Sequence, residues 1–348
     1  MKLPGFLRKM QDDLARVPES YRSIVNRDGG LKEKELQHML LNPTDHTLAT
    51  SQPPTDENVL FYHDQLESYA LAGSEAIANR SVAYCILAGG CGTRVGQSKA
   101  LLRIPELNMS LLTLKLLQAV GTGPIWIMVP KTFRAEVEAH VKEQIGIQHD
   151  RITYVEQFES YRFTPDNQLM FCDGRPELYP CGTGDILQLM FSDELKSSGV
   201  KHVAVVNVDN VFASLDPSVV GHHIRHESKV TCEVVRRKDK ECGYVLVDGP
   251  DGLQIVNISN VQDSHQEYTW LSTGSWIIDL SQLSYVKPKW HRRQKTVDGR
   301  IVIQHERSIV DVTAAVPTTY LGTIRSERYM PVTTAEDLQQ VRRLVHIT

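Results

Sequence analysis

The sequence predicts an α/β protein in which a mixed, mostly parallel sheet is flanked by helices and preceded by a helical N-terminal extension. Three observations carry that expectation. Apolar runs occur at residues 82–87, 125–129 and 202–207, the pattern of strands buried on both faces. Helical periodicities of about ten to fifteen residues lie between such runs, as βαβ units require. Residues 1–80 carry helical spacing before the first run begins.

In chain order, Phe6, Met10, Leu14 and Val17 recur near helical spacing, as do Leu31, Leu36 and Leu40. Pro43, Pro53 and Pro54 make 41–58 a loop, and a further helix over 59–79 carries Leu60, Leu66, Leu71 and Ile77. From Ser81 the pattern changes. The run 82–87 stops at Gly89-Gly90 and reads as a buried strand feeding a glycine loop. Ser110 is placed to cap a helix bearing Leu111, Leu112, Leu114, Leu117 and Val120. The strand at 125–129 is closed by Pro130. Phe133, Val137 and Val141 mark the next helix and 152–155 the next strand. Residues 185–196 read as helix, and 202–207 as a strand ending in polar residues. Beyond 229, strand patterns dominate (230–235, 244–247, 253–258, 275–278), and the last helix is expected at 335–345. The expected division is a helical extension over 1–80 and one α/β domain over 81–348, whose 229–330 part faces the substrate.

The chain has 348 residues, enough for one large α/β domain with an appendage. Apolar residues make up 41% and charged residues 23%, the balance of a globular rather than a disordered chain. The net charge of −4 offers no general basic field for nucleic acid. Any anion must therefore be held by a local site. The 6 cysteines form no C-x-x-C pair that would suggest structural zinc. The first residues lack an apolar signal core, and no apolar run is long enough to span a membrane. Together these features lead to the expectation of a cytoplasmic protein with free thiols.

The segment Leu87-Ala88-Gly89-Gly90-Cys91-Gly92-Thr93-Arg94-Val95-Gly96-Gln97-Ser98-Lys99 follows the first apolar strand. Its glycines allow a sharp turn with N–H groups pointing inward, a concave row of donors that suits oxyanions. Arg94 adds a planar fork for phosphate and Lys99 a point charge. The loop matches neither G-x-x-x-x-G-K-[ST] nor G-x-G-x-x-G. Asn207-Val208-Asp209-Asn210 ends another buried strand. A carboxylate at the carboxyl end of such a strand stands where ligands bind in open α/β sheets, and can hold Mg²⁺ beside phosphate oxygens.

With these residues in view, LAGGCGTRVG after Asn79-Arg80-Ser81-Val82-Ala83 resembles the UDP-sugar pyrophosphorylase family. The resemblance implies a Rossmann-like nucleotidyltransferase fold, with Leu87, Ala88, Gly89, Gly90, Gly92 and Thr93 wrapping a nucleoside triphosphate. Arg94 and Lys99 would act on its phosphates. Pro180-Cys181-Gly182-Thr183-Gly184-Asp185 resembles the family's P-x-G-x-G segment, so Pro180, Gly182 and Thr183 would pass the nucleobase, with Gln157 beside it. Asn207-Val208-Asp209-Asn210 matches N-x-D-N, which assigns the metal to Asp209. Val234-Val235-Arg236-Arg237-Lys238, followed by Glu241-Cys242-Gly243, resembles a segment with a phosphate-binding lysine, filled here by Arg237 or Lys238. Gly243, Asn257, Thr273-Gly274 and Glu306 would meet the acceptor, and Glu306 with Asp311 repeats the family's E-x-x-x-x-D spacing. Arg325 and Pro331-Val332 resemble a later segment of the same family.

The acceptor half departs from the family pattern. N-x-G-N reads Ser272-Thr273-Gly274-Ser275, E-Y-S-E reads Asn257-Ile258-Ser259-Asn260, and the lysine after Pro-Val is Thr333. Sites built to hydrogen-bond particular hydroxyls discriminate through those groups. The resemblance implies transfer of a nucleotidyl group, with UTP as first-choice donor and Mg²⁺ as cofactor, to a sugar 1-phosphate, releasing pyrophosphate. The alternatives are CTP or another nucleotide, a non-hexose phosphorylated acceptor, or a catalytically weakened nucleotide-sugar-binding paralogue. Neither nucleic acid nor membrane is expected as a partner. The His222-His223-Ile224-Arg225-His226 cluster reads as a solvated helix face. Cys91 and Cys181 lack a His or Asp partner in sequence and are not expected to be nucleophiles.

Overall fold

The apolar runs of the sequence become the middle of one twisted sheet in a computed structural model. It describes residues 5–41, 51–61, 66–92, 97–104, 107–119, 121–145, 151–261, 268–334, 337 and 341. The helices used below are α1 (Gly5–Ala15), α2 (Glu19–Val25), α3 (Glu33–Leu41), α4 (Leu66–Ala78), α5 (Leu111–Gln118), α6 (Lys131–Ile145) and α7 (Pro217–Arg225). The strands are β1 (Leu60–Phe61), β2 (Val82–Leu87), β3 (Ile125–Pro130), β4 (Ile152–Gln157), β5 (His202–Asn207), β6 (Val230–Arg236), β7 (Tyr244–Gly249), β8 (Gly252–Asn257), β9 (Trp270–Asp279), β10 (His291–Val297), β11 (Arg300–Glu306) and β12 (Thr318–Gly322).

The sheet runs in the order β1-β12-β6-β9-β5-β2-β3-β4, with β7 joining β9 and carrying β8. Strands β5, β2, β3 and β4 are mutually parallel, as are β1, β12 and β6. Strand β9 is antiparallel to both β5 and β6, which makes the sheet mixed. Every residue of β2 and β3 is buried. Alternation sends Tyr84, Ile86, Ile127 and Val129 to one face, where Tyr69 of α4, Leu112 of α5, Val137 of α6 and Val219 of α7 meet them. Ala83, Cys85, Trp126 and Met128 face the other way, against Ile186, Leu187, Val312 and Val316.

The N-terminal helices are packed onto the rest of the chain. Met10, Leu14, Val25, Leu31 and Leu36 share a cluster with Phe158, Tyr161, Phe163, Trp290 and Ile303. Helix α4, although within the first 80 residues, belongs to the central core and crosses α7 closely. A Cβ on Gly73 would lie 1.8 Å from Pro217 O, and one on Gly221 would lie 1.7 Å from Tyr69 O. Only glycine lets the two backbones approach this closely. Residue 80 is therefore not a packing boundary.

Several expectations are corrected. Residues 60–61 form a strand instead of opening a helix, because Phe61 pairs with Gly322, whose missing side chain leaves room for the Phe61 ring. Leu71 and Leu117, expected on apolar helix faces, are exposed. The helix expected at 185–196 is broken: a 3-10 turn (Thr183–Asp185) leads into Ile186–Leu189, and a second helix, Asp193–Lys196, starts where Ser192 caps Leu195 N. His222 and His223 are buried, so that face of α7 is not solvated. The strand expected at 275–278 begins earlier, at Trp270, so Thr273-Gly274 lies within β9. The helix expected at 335–345 falls outside the described residues apart from 337 and 341. No helix among the described residues is long and apolar enough to cross a membrane.

The α4–α7 crossing gives a direct test. Gly73→Ala is expected to force the helices apart and destabilise the fold by about 1–3 kcal/mol, measured as a lower urea midpoint at unchanged slope.

Candidate functional site

Strand β2 leads through α5 and α6 to β3 and β4 on one side, while β5 lies on its other side. The chain direction across the sheet thus reverses between β2 and β5, and the loops after these two strands diverge into a crevice. Val208 N donates to Leu87 O at 3.2 Å and keeps the strand ends together. Beyond them, Lys99 N donates to Gly90 O at 2.8 Å, folding the glycine loop back. The Lys99 ammonium then meets the Asp209 carboxylate at 2.5 Å, with both side chains about one-fifth exposed. Residues 110 positions apart are joined here by the two loops at the switch point.

Asp209 is held from behind. Its carbonyl accepts from Val332 N at 2.8 Å. Asn210 donates to Arg328 O at 3.0 Å and accepts from Met330 N at 2.9 Å. Asn207 approaches Gly274 so closely that a Cβ there would lie 2.5 Å from Asn207 Nδ2, and Gly274 has φ +75°. Gln157 ends β4 and donates through Nε2 to Gly182 O at 2.8 Å. Its Oε1 has no hydrogen-bond partner among the described residues and would lie 1.7 Å from a Cβ on Gly89.

The far wall is organised by Arg307. Its guanidinium makes a buried ion pair with Asp185, donating to the single oxygen Oδ1 from Nε at 2.9 Å and from Nη2 at 2.5 Å. Its Nη1 donates to Gly29 O at 2.9 Å and Gln188 Oε1 at 2.7 Å. Phe158 and Trp290 stack on it, with ring centroids 4.9 and 4.3 Å away. Gly182, at φ +102°, passes so near that a Cβ would lie 2.3 Å from Arg307 O. Burial pushes Asp185 up to about 6, while Arg307 pulls it back down.

These walls enclose a cavity of about 510 Å³, the size of a small-molecule site. Of the residues singled out in the sequence, Leu87, Gly89, Gly90, Lys99, Gln157, Pro180, Gly182, Thr183, Asp209, Gly243, Thr273, Gly274 and Glu306 line it. Ala88 is buried behind the loop, donating to Met128 O at 2.8 Å. Gly92 pairs with Gln97 in a short ladder within the loop. Thr93 and Arg94 lie outside the described residues.

Two assignments are corrected. Lys238 is exposed on the turn after β6, where Glu241 Oε2 accepts from its backbone N, and it does not reach the cavity. Its neighbour Arg237 is turned onto Glu241 O and is likewise absent from the lining. Asn257 folds back to accept from Ser259 N at 3.0 Å and also stays outside. Cys181 is fully buried, and burial raises its thiol well above the ordinary range, so it is no nucleophile.

Sequence reasoning missed Arg162, Tyr179 and the whole β10–β11 hairpin, which brings His291, Arg293, Lys295 and Arg307 to the cavity beside Glu306. A signal was present. Asp298-Gly299 between the two strands has both φ values positive, +50° and +74°, and Asp-Gly is a strong short-range hairpin signature.

The sequence profile of the family described as UTP--glucose-1-phosphate uridylyltransferase matches residues 34–346. The chain belongs to this family. It is 28% identical over 235 residues to UDP-N-acetylglucosamine pyrophosphorylase of Saccharomyces cerevisiae, a match covering 60% of this chain and 49% of the relative. It is 22% identical to UTP--glucose-1-phosphate uridylyltransferase of Solanum tuberosum, covering 94% of this chain and 74% of that protein. The chain thus spans about half the length of its yeast relative. Its fold is shared with UDP-glucose pyrophosphorylase of Leishmania major, at a TM-score of 0.72 and 19% identity over 97% of this chain and 79% of that one. The Entamoeba histolytica protein described as a UDP-N-acetylglucosamine pyrophosphorylase gives 0.72 and 17%, covering 84% and 87%. The family membership and the shared nucleotidyltransferase fold agree with the resemblance read from the glycine loop.

Arg307→Met is expected to lose about 3–5 kcal/mol of stability near pH 8, because it strands a buried carboxylate. The deficit relative to wild type shrinks toward roughly pH 5. The folded-state value of Asp185 lies above its ordinary 3.8, so ionising it in the folded chain costs stability as pH rises. Without Arg307 that cost is larger, and proton uptake at low pH relieves it. Paired urea titrations at the two pH values measure the difference.

Proposed function

We propose that the chain is a nucleotidyltransferase that couples UTP to a sugar 1-phosphate and releases pyrophosphate. The observation that carries this reading is the meeting of Lys99 and Asp209 at the switch point, inside a cavity floored by glycines. Family membership supports it, as do the activities named for the relatives in yeast and potato.

The geometry divides the work. The glycine loop would offer backbone N–H groups to the triphosphate, and Lys99, with Arg94, would neutralise its charge. An oxygen of the acceptor phosphate, already ionised at neutral pH, attacks the α-phosphorus in line. The new O–P bond forms as the α–β bridging bond breaks, and the electron pair leaves with pyrophosphate. No protein base is needed, so catalysis reduces to positioning and charge neutralisation.

The donor set also fits a hard dication. Asp209 is a partly exposed carboxylate at a strand end, fixed through its backbone and open to the cavity. Mg²⁺ prefers one or two such carboxylates together with phosphate oxygens. Asp209 would hold the ion, which when bound supplies neutralisation of phosphate charge. Lys99 keeps the carboxylate balanced in the nucleotide-free site.

The preference for UTP over CTP rests on the activities named for the relatives in yeast and potato. The reducing cytosol fits the free thiols of Cys85, Cys172, Cys181, Cys232 and Cys242 and is the proposed compartment.

A pyrophosphate-release assay with UTP and CTP against glucose 1-phosphate and N-acetylglucosamine 1-phosphate tests the reading. Release is expected with UTP and dependent on Mg²⁺. Asp209→Ala, Lys99→Ala and Arg94→Ala should each lower turnover by about 10²–10³ with unchanged circular dichroism. Near-normal turnover in the first two would refute the site, and tight nucleotide binding without release from any pair would favour a non-catalytic paralogue.

A further inference from the structure

At the end of the sheet opposite the cavity, three potential ligands converge. His202 opens β5, Asp279 closes the antiparallel β9, and His223 reaches over from α7. One ring nitrogen of each histidine and one carboxylate oxygen of Asp279 all lie within 4.8 Å of one another. His202 Nδ1 stands 3.9 Å from Asp279 Oδ2, and the two imidazoles meet edge to face at 5.3 Å between centroids.

The groups around this point are organised while its centre is left unsatisfied. His223 has no exposed surface, and its Nε2 has no hydrogen-bond partner among the described residues; neither has His202 Nδ1. Their neighbours are held. His223 Nδ1 lies 2.8 Å from Thr231 Oγ1. Asp279 Oδ1 accepts from Ser281 N at 2.8 Å and Ser281 Oγ at 2.6 Å, and Oδ2 accepts from Gln282 Nε2 at 3.0 Å. Buried polar atoms are normally paired, so two orphan nitrogens facing one carboxylate call for an explanation. A hydrogen bond between them does not supply it, since 3.9 Å is too long.

We propose that His202, His223 and Asp279 form a binding site for a borderline transition-metal dication, with Zn²⁺ the best fit. Two imidazoles and one carboxylate are a three-ligand zinc set that leaves a fourth position for water. The hydrogen bonds to His223 Nδ1 and Asp279 are the outer contacts that orient such ligands. Around a tetrahedral ion the ligand atoms stand about 3.3–3.5 Å apart, given bonds of about 2.0–2.2 Å. Holding an ion would require the cluster, now within 4.8 Å, to draw closer, and His202 is its partly exposed member. The charged group acting against the cation is Lys201.

The site differs in chemistry from the carboxylate at Asp209. Nitrogen ligands select zinc, cobalt, nickel or copper, whereas Mg²⁺ needs oxygen. An ion there would tie α7 to the starting end of β5 and the finishing end of β9. Of the histidines clustered in the sequence at 222–226, only His223 takes part, and its partners come from residues distant in the chain.

The test uses the full chain, purified without metal-affinity chromatography and stripped with chelator. Titration with Co²⁺ is expected to give one ion per chain with intense visible absorption of tetrahedral type. Zn²⁺ should displace it and raise Tm. His202→Asn and Asp279→Asn should each weaken Zn²⁺ binding by about tenfold or more and abolish the Tm response, while leaving pyrophosphate release unchanged. Should Asp279→Asn fail to fold, His202→Asn alone decides, since that side chain is partly exposed. The proposal is overturned if stripped wild type binds no stoichiometric Co²⁺, or if His202→Asn binds it as tightly as wild type.

Discussion

The Arg307 guanidinium is the constraint around which the cavity is built. It touches the α2–α3 turn through Gly29, the Pro180–Asp185 segment through Asp185, the short helix that follows through Gln188, and two aromatic rings contributed by Phe158 and Trp290. Its backbone adds to this, donating to Cys181 O at 2.7 Å and accepting from Gly184 N at 3.0 Å. A buried ion pair is weak evidence for net stability, because desolvation offsets its attraction. What it supplies here is position. Asp185 cannot leave without stranding a charge, so the Pro180–Asp185 segment keeps one geometry relative to the hairpin. The N-terminal helices, docked on Phe158 and Trp290, then become part of the wall's support.

Against that rigid wall the switch-point side is the simpler half. Lys99 and Asp209 neutralise each other across the crevice, and both remain accessible. Asp185 is fully buried in its pair with Arg307, whereas the Lys99–Asp209 pair keeps about one-fifth of each side chain exposed, so the first holds a wall and the second stays open to the cavity.

The sequence was most legible where one physical rule acted alone. Strands β2, β3 and β5 are buried on both faces, and an uninterrupted apolar run has few other meanings in this context. The glycine loop and Asp209 were legible because backbone access and strand-end placement are local properties. The β10–β11 hairpin was lost because its residues serve two environments. His291 and Val297 are buried, whereas the residues between them are largely exposed, so no period-two apolar pattern survives. Lys238 was misplaced for a related reason. Spacing along a chain does not say which way a turn folds, and Glu241 fixes this one away from the cavity. The histidines of α7 failed on burial, which depends on β5 and β9, elements far away in sequence.

The β9 segment shows how departures in a motif become departures in construction. Ser272 Oγ accepts from Gly274 N at 3.2 Å and lies 3.4 Å from Cys232 Sγ, while Thr273 Oγ1 donates to Glu233 O at 3.1 Å. These hydroxyls are spent on holding β9 to β6 and on shaping the turn at Gly274. Charged groups reach the cavity from Arg162 and the hairpin, where Lys295 and Glu306 pair across the two strands. Substitution on β9 therefore acts first on sheet packing, and substitution on the hairpin acts first on the cavity's charge. The hairpin lies outside the central sheet and is tied to the rest of the fold through the Phe163–Ile303 bridge, so its exposed side chains stand apart from the strands that carry Asp209 and the glycine loop.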